Sequence, residues 1–213
     1  MEDLLIYLSG SIRKGTTDSR QSFWTDDDVE TLKAILIPRR IILLNPAVRT
    51  DDLTDLESTF GRDAFQVFSS DLVIVDARDR RGIGVGVEMV YAKLNNKPVV
   101  AVAPPHSHYN RENFTFMDQH LDRWIHPFIL ALSDKIVPSV VAAGEWIRDD
   151  FLSGNISPKG IECFDAAMRY YINTQLDRDS TMSDLVFSHE RVRERISGRI
   201  RIDRNVMSRT ASD

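Results

Sequence analysis

The chain has 213 residues, 42% of them hydrophobic, which is enough for one full core plus appendages. Its 27 basic and 32 acidic side chains leave a net charge of −5. That balance argues against a general nucleic-acid surface but not against a phosphate held by one or two arginines. The single cysteine, Cys163, excludes an intrachain disulfide and a Cys-rich metal site. No apolar run approaches the ~18 residues of a membrane span, and Met1-Glu2-Asp3-Leu4 lacks the basic start of a signal peptide, so a cytoplasmic protein with no membrane partner is expected.

In chain order, Leu4 to Leu8 reads as a buried strand, and it runs into a small-residue turn, Ser9-Gly10-Ser11-Ile12-Arg13. The Ser11 hydroxyl, backbone N–H groups and the Arg13 guanidinium are the parts of a phosphate cradle, although a polar strand-to-helix loop reads the same way. Thr25 is an N-cap followed by Asp26, Asp27 and Asp28, with Val29, Leu32 and Ile35 as the apolar stripe of a helix. Ile41 to Leu44 is the second strand. Leu56, Phe60, Ala64 and Phe68 then trace a helix with Asp63 at its edge.

Leu72 to Val75 is the third strand, followed by the glycine-rich turn Gly82-Ile83-Gly84-Val85-Gly86-Val87-Glu88. Three glycines permit close backbone approach by a ligand. A carboxylate at a helix start is held ionised by the macrodipole and suits a nucleophile or electrostatic stabiliser. By itself, an acidic first-turn residue is also an ordinary helix feature. Val87, Val90, Tyr91 and Leu94 are the expected buried face of the helix behind the turn. Val99 to Val102 is the fourth strand, residues 103–126 form a connection long enough to carry specificity or a lid, and Lys135 to Val137 is a fifth strand.

Strands alternating with helices imply a doubly wound, Rossmann-like parallel α/β sheet of about five strands with flanking helices. Ligands bind such sheets at the carboxyl ends of the strands, which here are Ser9 to Ser11, Asn45-Pro46 and Asp76 to Gly86. The α/β domain is expected over 1–150. A helix carrying Ile161, Phe164, Met168, Tyr171 and Ile172 extends over 151–176, packing on the core or a partner. A polar extension, partly ordered, follows over 177–213. From 190 onward it holds seven arginines against four carboxylates, a local excess that suits an acidic partner or an appendage.

A dinucleotide fingerprint requires G-x-G-x-x-G after the first strand, whereas the G-x-G-x-G here follows the third. A phosphate loop of the Walker type is absent too. The five histidines show no H-E-x-x-H or comparable ligand spacing, so no metal site is expected.

Tyr7, Gly10-Ser11-Ile12-Arg13, Asp63 and Gly84-Val85-Gly86-Val87-Glu88 followed by Tyr91-Ala92 occur in an order and spacing that resembles the nucleoside 2-deoxyribosyltransferase superfamily. Within it, the chain looks most like the 2′-deoxynucleoside 5′-monophosphate N-glycosidases, over about residues 4–137. The resemblance implies that Glu88 attacks the anomeric carbon, that Tyr7 positions it, and that Asp63 assists the departing base. Gly10, Ser11, Ile12 and Arg13 would hold the 5′-phosphate, with Gly82, Gly84 and Gly86 lining the substrate. It implies hydrolysis of a ribo- or deoxyribonucleoside 5′-monophosphate without a cofactor, and a homodimer or higher homo-oligomer in which a neighbouring subunit completes the site, His126 being the matching residue. Gly82 departs from the pattern, standing where the transferases place Asp and the monophosphate hydrolases Ser. Arg80 or Arg81 could then replace a phosphate contact, although two solvated loop arginines read the same way. Base exchange between nucleosides and a non-catalytic nucleotide-binding module are the alternatives; two carboxylates beside an anionic ligand speak against the latter.

Overall fold

A computed structural model describes residues 2–10 and 24–199, so Ser11, Ile12, Arg13 and the arginines beyond Arg199 lie outside the described residues. The chain divides after Gly160 into two compact units.

In the first unit, β1 (Leu4–Ser9) leads to α1 (Asp26–Ile35), β2 (Ile41–Leu44), α2 (Leu56–Ser69), β3 (Leu72–Asp76), α3 (Ile83–Leu94) and β4 (Val99–Val102). An antiparallel hairpin, β5 (Asn110–Phe116) and β6 (Gln119–Ile125), precedes α4 (Pro127–Leu132), β7 (Lys135–Val137) and α5 (Val140–Trp146). Five parallel strands form one sheet in the order β2-β1-β3-β4-β7. All five expected strands are present, and the doubly wound α/β class follows from their parallel order and the helices that connect them.

Each strand alternates its side chains between two layers. Leu4, Ile6 and Leu8 turn to one side and pack with Leu32 of α1, Leu36 just after it, and Val140 and Trp146 of α5 into the main core. There the fit is tight: a Cβ on Gly144 would lie 3.1 Å from both Cγ2 and Cδ1 of Ile35. The start of α1 matches its sequence reading, with a reciprocal capping box in which Asp28 N–H donates to Thr25 Oγ1 at 3.1 Å and Thr25 N–H to Asp28 Oδ2 at 3.0 Å.

The helices on the other side differ from expectation. In α3 the buried residues are Val85, Met89, Ala92 and Lys93, while Val87 and Leu94 are exposed. In α2 only Val67 is buried, and Leu56, Phe60 and Phe68 face solvent. Period alone cannot orient such helices, because α3 carries apolar residues on every side and α2 turns polar ones inward. At its far end α3 is anchored by Lys93, which is fully buried and paired with Asp134. Asp134 also accepts from Val99 N–H at 2.6 Å and Lys159 N–H at 2.7 Å.

The 103–126 connection holds the β5–β6 hairpin, closed through Met117 and Asp118, both at positive φ. Such a turn is usually written with Asn and Gly.

The second unit holds α6 (Cys163–Thr174), α7 (Ser180–Ser188) and α8 (Glu190–Arg199) around Ile172, Leu176 and Val186. The polar tail expected from Asp177 is therefore helical as far as Arg199. Asp179 organises it, capping α7 through Met182 N–H at 3.2 Å and accepting from the Tyr171 hydroxyl at 2.7 Å. That bond pushes the Tyr171 pKa up to about 12.

Candidate active site

Tyr7 and Ser9 are two apart on β1 and so point to the same face of the sheet, toward α3. The Ser9 hydroxyl donates to Glu88 Oε2 at 2.5 Å. Both β1 residues are fully buried. The Tyr7 hydroxyl has no hydrogen bond of full geometry, yet it lies close enough to Glu88 to act on its ionisation. Ser9 was not singled out from sequence, although its place two residues beyond Tyr7 at the strand's carboxyl end is the signal that would have found it.

Glu88 does not sit in the first turn of its helix. Gly82 is the N-cap and the glycine run itself forms the opening turn, so Glu88 comes one turn further in. Burial, not the helix start, dominates its electrostatics: it raises the Glu88 pKa, the hydrogen bond from Ser9 and the nearby Tyr7 hydroxyl oppose the rise, and the charge of Asp63 adds to it. The expectation that the helix start holds this carboxylate ionised is therefore corrected: Glu88 lies beyond the first turn, and burial works against its charge. Burial likewise pushes the Tyr7 hydroxyl far up, with the negative charge of Glu88 and Asp63 adding to the effect.

Asp63 projects from the inward side of α2. Its own pKa is raised by burial, against the pull of Arg49 and Arg62. Each guanidinium stands 3.6 Å from Asp63 Oδ1, an ion-pair distance without a hydrogen bond, and that oxygen is buried. Arg49 is instead bound in bidentate fashion to Asp51, at 2.9 and 2.5 Å, and holds Asp51 down to about 2. Arg62 ties the preceding loop to α2 by donating to Val48 O at 2.7 Å. Thr59 Oγ1 and Gln66 Oε1, on the same stripe of α2 as Asp63, are also buried without partners. None of these neighbours was visible in the sequence, because the partners come from a loop and a helix whose polar side faces in.

A second network holds the loop between β3 and α3. The Asp76 carboxylate is fully buried and accepts from Arg78 Nε at 2.9 Å and Arg81 Nη2 at 2.5 Å. Arg78 continues to both oxygens of Asp28 at 3.0 Å and lies 5.1 Å from the Trp24 ring centroid. Arg81 N–H donates to the Tyr109 hydroxyl at 2.9 Å, fastening the root of the hairpin. The expected phosphate role of Arg81 is thereby corrected: its guanidinium is committed to Asp76 and only 4% exposed. Arg80 remains on the exposed side of the loop.

Gly10 closes β1 where a Cβ would come 3.1 Å from Trp24 Nε1 and 3.6 Å from Asp76 Cβ, so any side chain there would press on the Trp24 ring. Among the described residues, a Cβ at Gly82 or Gly86 would meet nothing within 4 Å, and one at Gly84 only Glu88 Oε1 at 3.8 Å.

His126 stands at the start of α4 in an aromatic row with Tyr109, Trp124 and Phe128, at ring-centroid distances of 5.3, 5.6 and 5.7 Å. Burial and His108 lower its pKa, and its Nδ1 is buried without a partner. The structure thus brings Tyr7, Asp63 and Glu88 together with Ser9 and leaves His126 in this separate row. Among the described residues no group of three or more His, Cys, Asp or Glu is placed to hold a metal ion, and no helix is long and apolar enough to cross a membrane.

No protein-family profile and no curated protein sequence matches the chain. Two of the solved structures it resembles are a 2-deoxyribosyltransferase from Leishmania mexicana and one from Bacillus psychrosaccharolyticus. The first is 12% identical, covering 68% of this chain and 97% of its own at a TM-score of 0.49. The second is 13% identical, covering 72% and 98% at a TM-score of 0.46. At these values the functional reading rests on the side chains.

Proposed function

We propose that this chain is an enzyme that cleaves the N-glycosidic bond of a nucleoside 5′-monophosphate, with Glu88 as nucleophile. The observation that carries the reading is the buried cluster of Glu88 with Ser9, Tyr7 and Asp63. Glu88 attacks the anomeric carbon as the bond to the base nitrogen breaks and its electron pair leaves with the base. Asp63, its carboxyl raised by burial, supplies the proton that the base takes up. The positive charge that develops on the sugar is matched by the Glu88 carboxylate, in the manner of retaining glycosidases. Ser9 and Tyr7 hold that carboxylate toward its charged form. Water then releases the sugar 5-phosphate and restores the enzyme.

Phosphate capture is assigned to the segment Gly10 to Arg13, since Arg81 is spent on Asp76. His126 is proposed to serve a neighbouring subunit's site. Base exchange, in which a second nucleobase replaces water, uses the same glycosyl-enzyme and is the second reading.

The test measures base release from ribo- and deoxyribonucleoside 5′-monophosphates and the matching nucleosides, with and without a second base. Release from monophosphates in water alone supports the hydrolase. A requirement for an acceptor base, with nucleosides used as well as monophosphates, replaces it by the transferase. Tight nucleotide binding with no release overturns both.

A further inference from the structure

The root of the β5–β6 hairpin carries a cavity of about 340 Å³, and none of its lining residues belongs to the Glu88 cluster. Ser107, Arg111, Glu112, Asn113 and Phe114 are in that lining. Strand side chains alternate between two faces, so Arg111 and Phe114, three residues apart, belong on opposite faces of β5. Asn113 takes a φ of 48° between them, and the Arg111 guanidinium lies 4.6 Å from the Phe114 ring centroid. His106, also in the lining, holds its φ at 64°. Left-handed backbone is uncommon outside glycine and gathers at binding sites. His108 fixes the guanidinium: its carbonyl oxygen accepts from Arg111 Nε at 3.2 Å, and its Nδ1 lies 3.0 Å from Nη2. Ser107 Oγ is buried with no hydrogen bond among the described residues, and the Glu112 carboxylate stands 3.9 Å from His106 Nε2, beyond hydrogen-bond reach.

We infer that this cavity binds a free nucleobase bearing an exocyclic amino group, its ring laid along the Phe114–Arg111 pair and its amino group donating to Glu112. Aromatic rings and guanidinium planes both stack on nucleobases. The volume lies at the lower end of the ~300–1,000 Å³ range of ligand pockets, which suits a ligand of that size. Counting histidines as neutral, the lining holds one guanidinium and one carboxylate, a balance that favours an uncharged ligand, and Glu112 would repel the phosphate of a nucleotide at short range. A carboxylate accepts from an amino group and cannot donate to a carbonyl oxygen, so it separates adenine and cytosine from uracil. The Ser107 hydroxyl, donor and acceptor at once, serves the rest of the ring edge. Asn110 Nδ2 donates to Ala103 O at 2.9 Å and ties the hairpin root to the end of β4, so the site stands on an anchored frame. Nothing in this inference depends on the proposed reaction.

The experiment is isothermal titration calorimetry of the full chain with free adenine, cytosine, uracil and indole, for the wild type, Phe114→Leu and Glu112→Gln. The wild type binds adenine or cytosine at least ~10-fold more tightly than uracil, and indole, which stacks without the edge groups, no better than uracil. Phe114→Leu weakens the amino-bearing base by about 10-fold or more, and Glu112→Gln abolishes its advantage over uracil. The Glu112 side chain is 44% exposed, so its amide leaves the fold intact, which circular dichroism verifies for both variants. A wild type that binds no base overturns the inference, as does indole bound as tightly as the bases. Affinities unchanged in both variants overturn it too, because the base is then held elsewhere. Base release is assayed separately, so an inactive wild type removes the proposed reaction and leaves this result standing.

Discussion

Leu4, Ile6 and Leu8 turn to the α1–α5 side of the sheet and disappear into a close-packed core, whereas Tyr7 and Ser9 of the same strand turn to the α2–α3 side and carry a hydroxyl pair to a glutamate. The first side is closed to a single added methyl at Gly144, and the second holds buried polar atoms without a hydrogen bond among the described residues at Thr59 and Gln66. Unpaired buried polar groups cost stability. A fold that seals one face with apolar contacts can leave polar groups on the other unsatisfied.

The contrast breaks most sharply at Glu88. Glu88→Gln removes the nucleophile and is expected to lower base release by roughly 10³-fold or more, measured as kcat/KM. The same substitution stabilises the protein. A buried carboxyl whose folded pKa is raised contributes stability that is complete below the ordinary carboxylate range and is lost as pH rises through the raised value. Thermal melts should therefore show Glu88→Gln gaining over the wild type near neutral pH and losing that gain in mild acid. Asp63→Asn is expected to cost about 10²–10⁴-fold in turnover, most for bases that leave poorly. On the anchoring side, Asp134→Ala strands the buried Lys93 charge and should cost about 3–5 kcal/mol in denaturant unfolding.

Arg49 sharpens the comparison without breaking it. It opposes the rise of the Asp63 pKa more than any other group, so Arg49→Met lets that pKa climb. If Asp63 gives its proton to the base, the alkaline limb of the kcat/KM profile moves to higher pH. The smallest effects come from two glycines. Gly144→Ala forces a methyl against Ile35 and should destabilise by about 1–3 kcal/mol. Gly61→Ala on α2, where a Cβ meets nothing within 4 Å, should stabilise by about 1 kcal/mol through helix propensity.

The five strands were legible because buried parallel strands are continuous apolar runs, and Ile41 to Leu44 or Val99 to Val102 admit few other readings. The capping box at Thr25 was equally readable. Helix faces were not. Val87, Val90, Tyr91 and Leu94 keep the helical period as well as Val85, Met89 and Ala92 do, so period could not say which set faces the sheet. The hairpin was hidden by Met117 and Asp118, which take positive φ without the usual turn residues. Tyr7, Asp63 and Glu88 could be picked out by type and spacing, but Ser9, Arg49, Arg62 and the Asp28–Arg78–Asp76 chain are contacts between distant segments that local pattern does not encode.

The central claim is that the sugar is carried on Glu88. Incubation with a nucleoside 5′-monophosphate whose sugar bears a 2′-fluorine slows release of the intermediate, because fluorine destabilises the positive charge of the second step. Peptide mass spectrometry of the quenched enzyme then locates the sugar. The account predicts a sugar phosphate bound through an ester to the peptide containing Glu88. Base released with that peptide unmodified, or with the sugar on another residue, would contradict it.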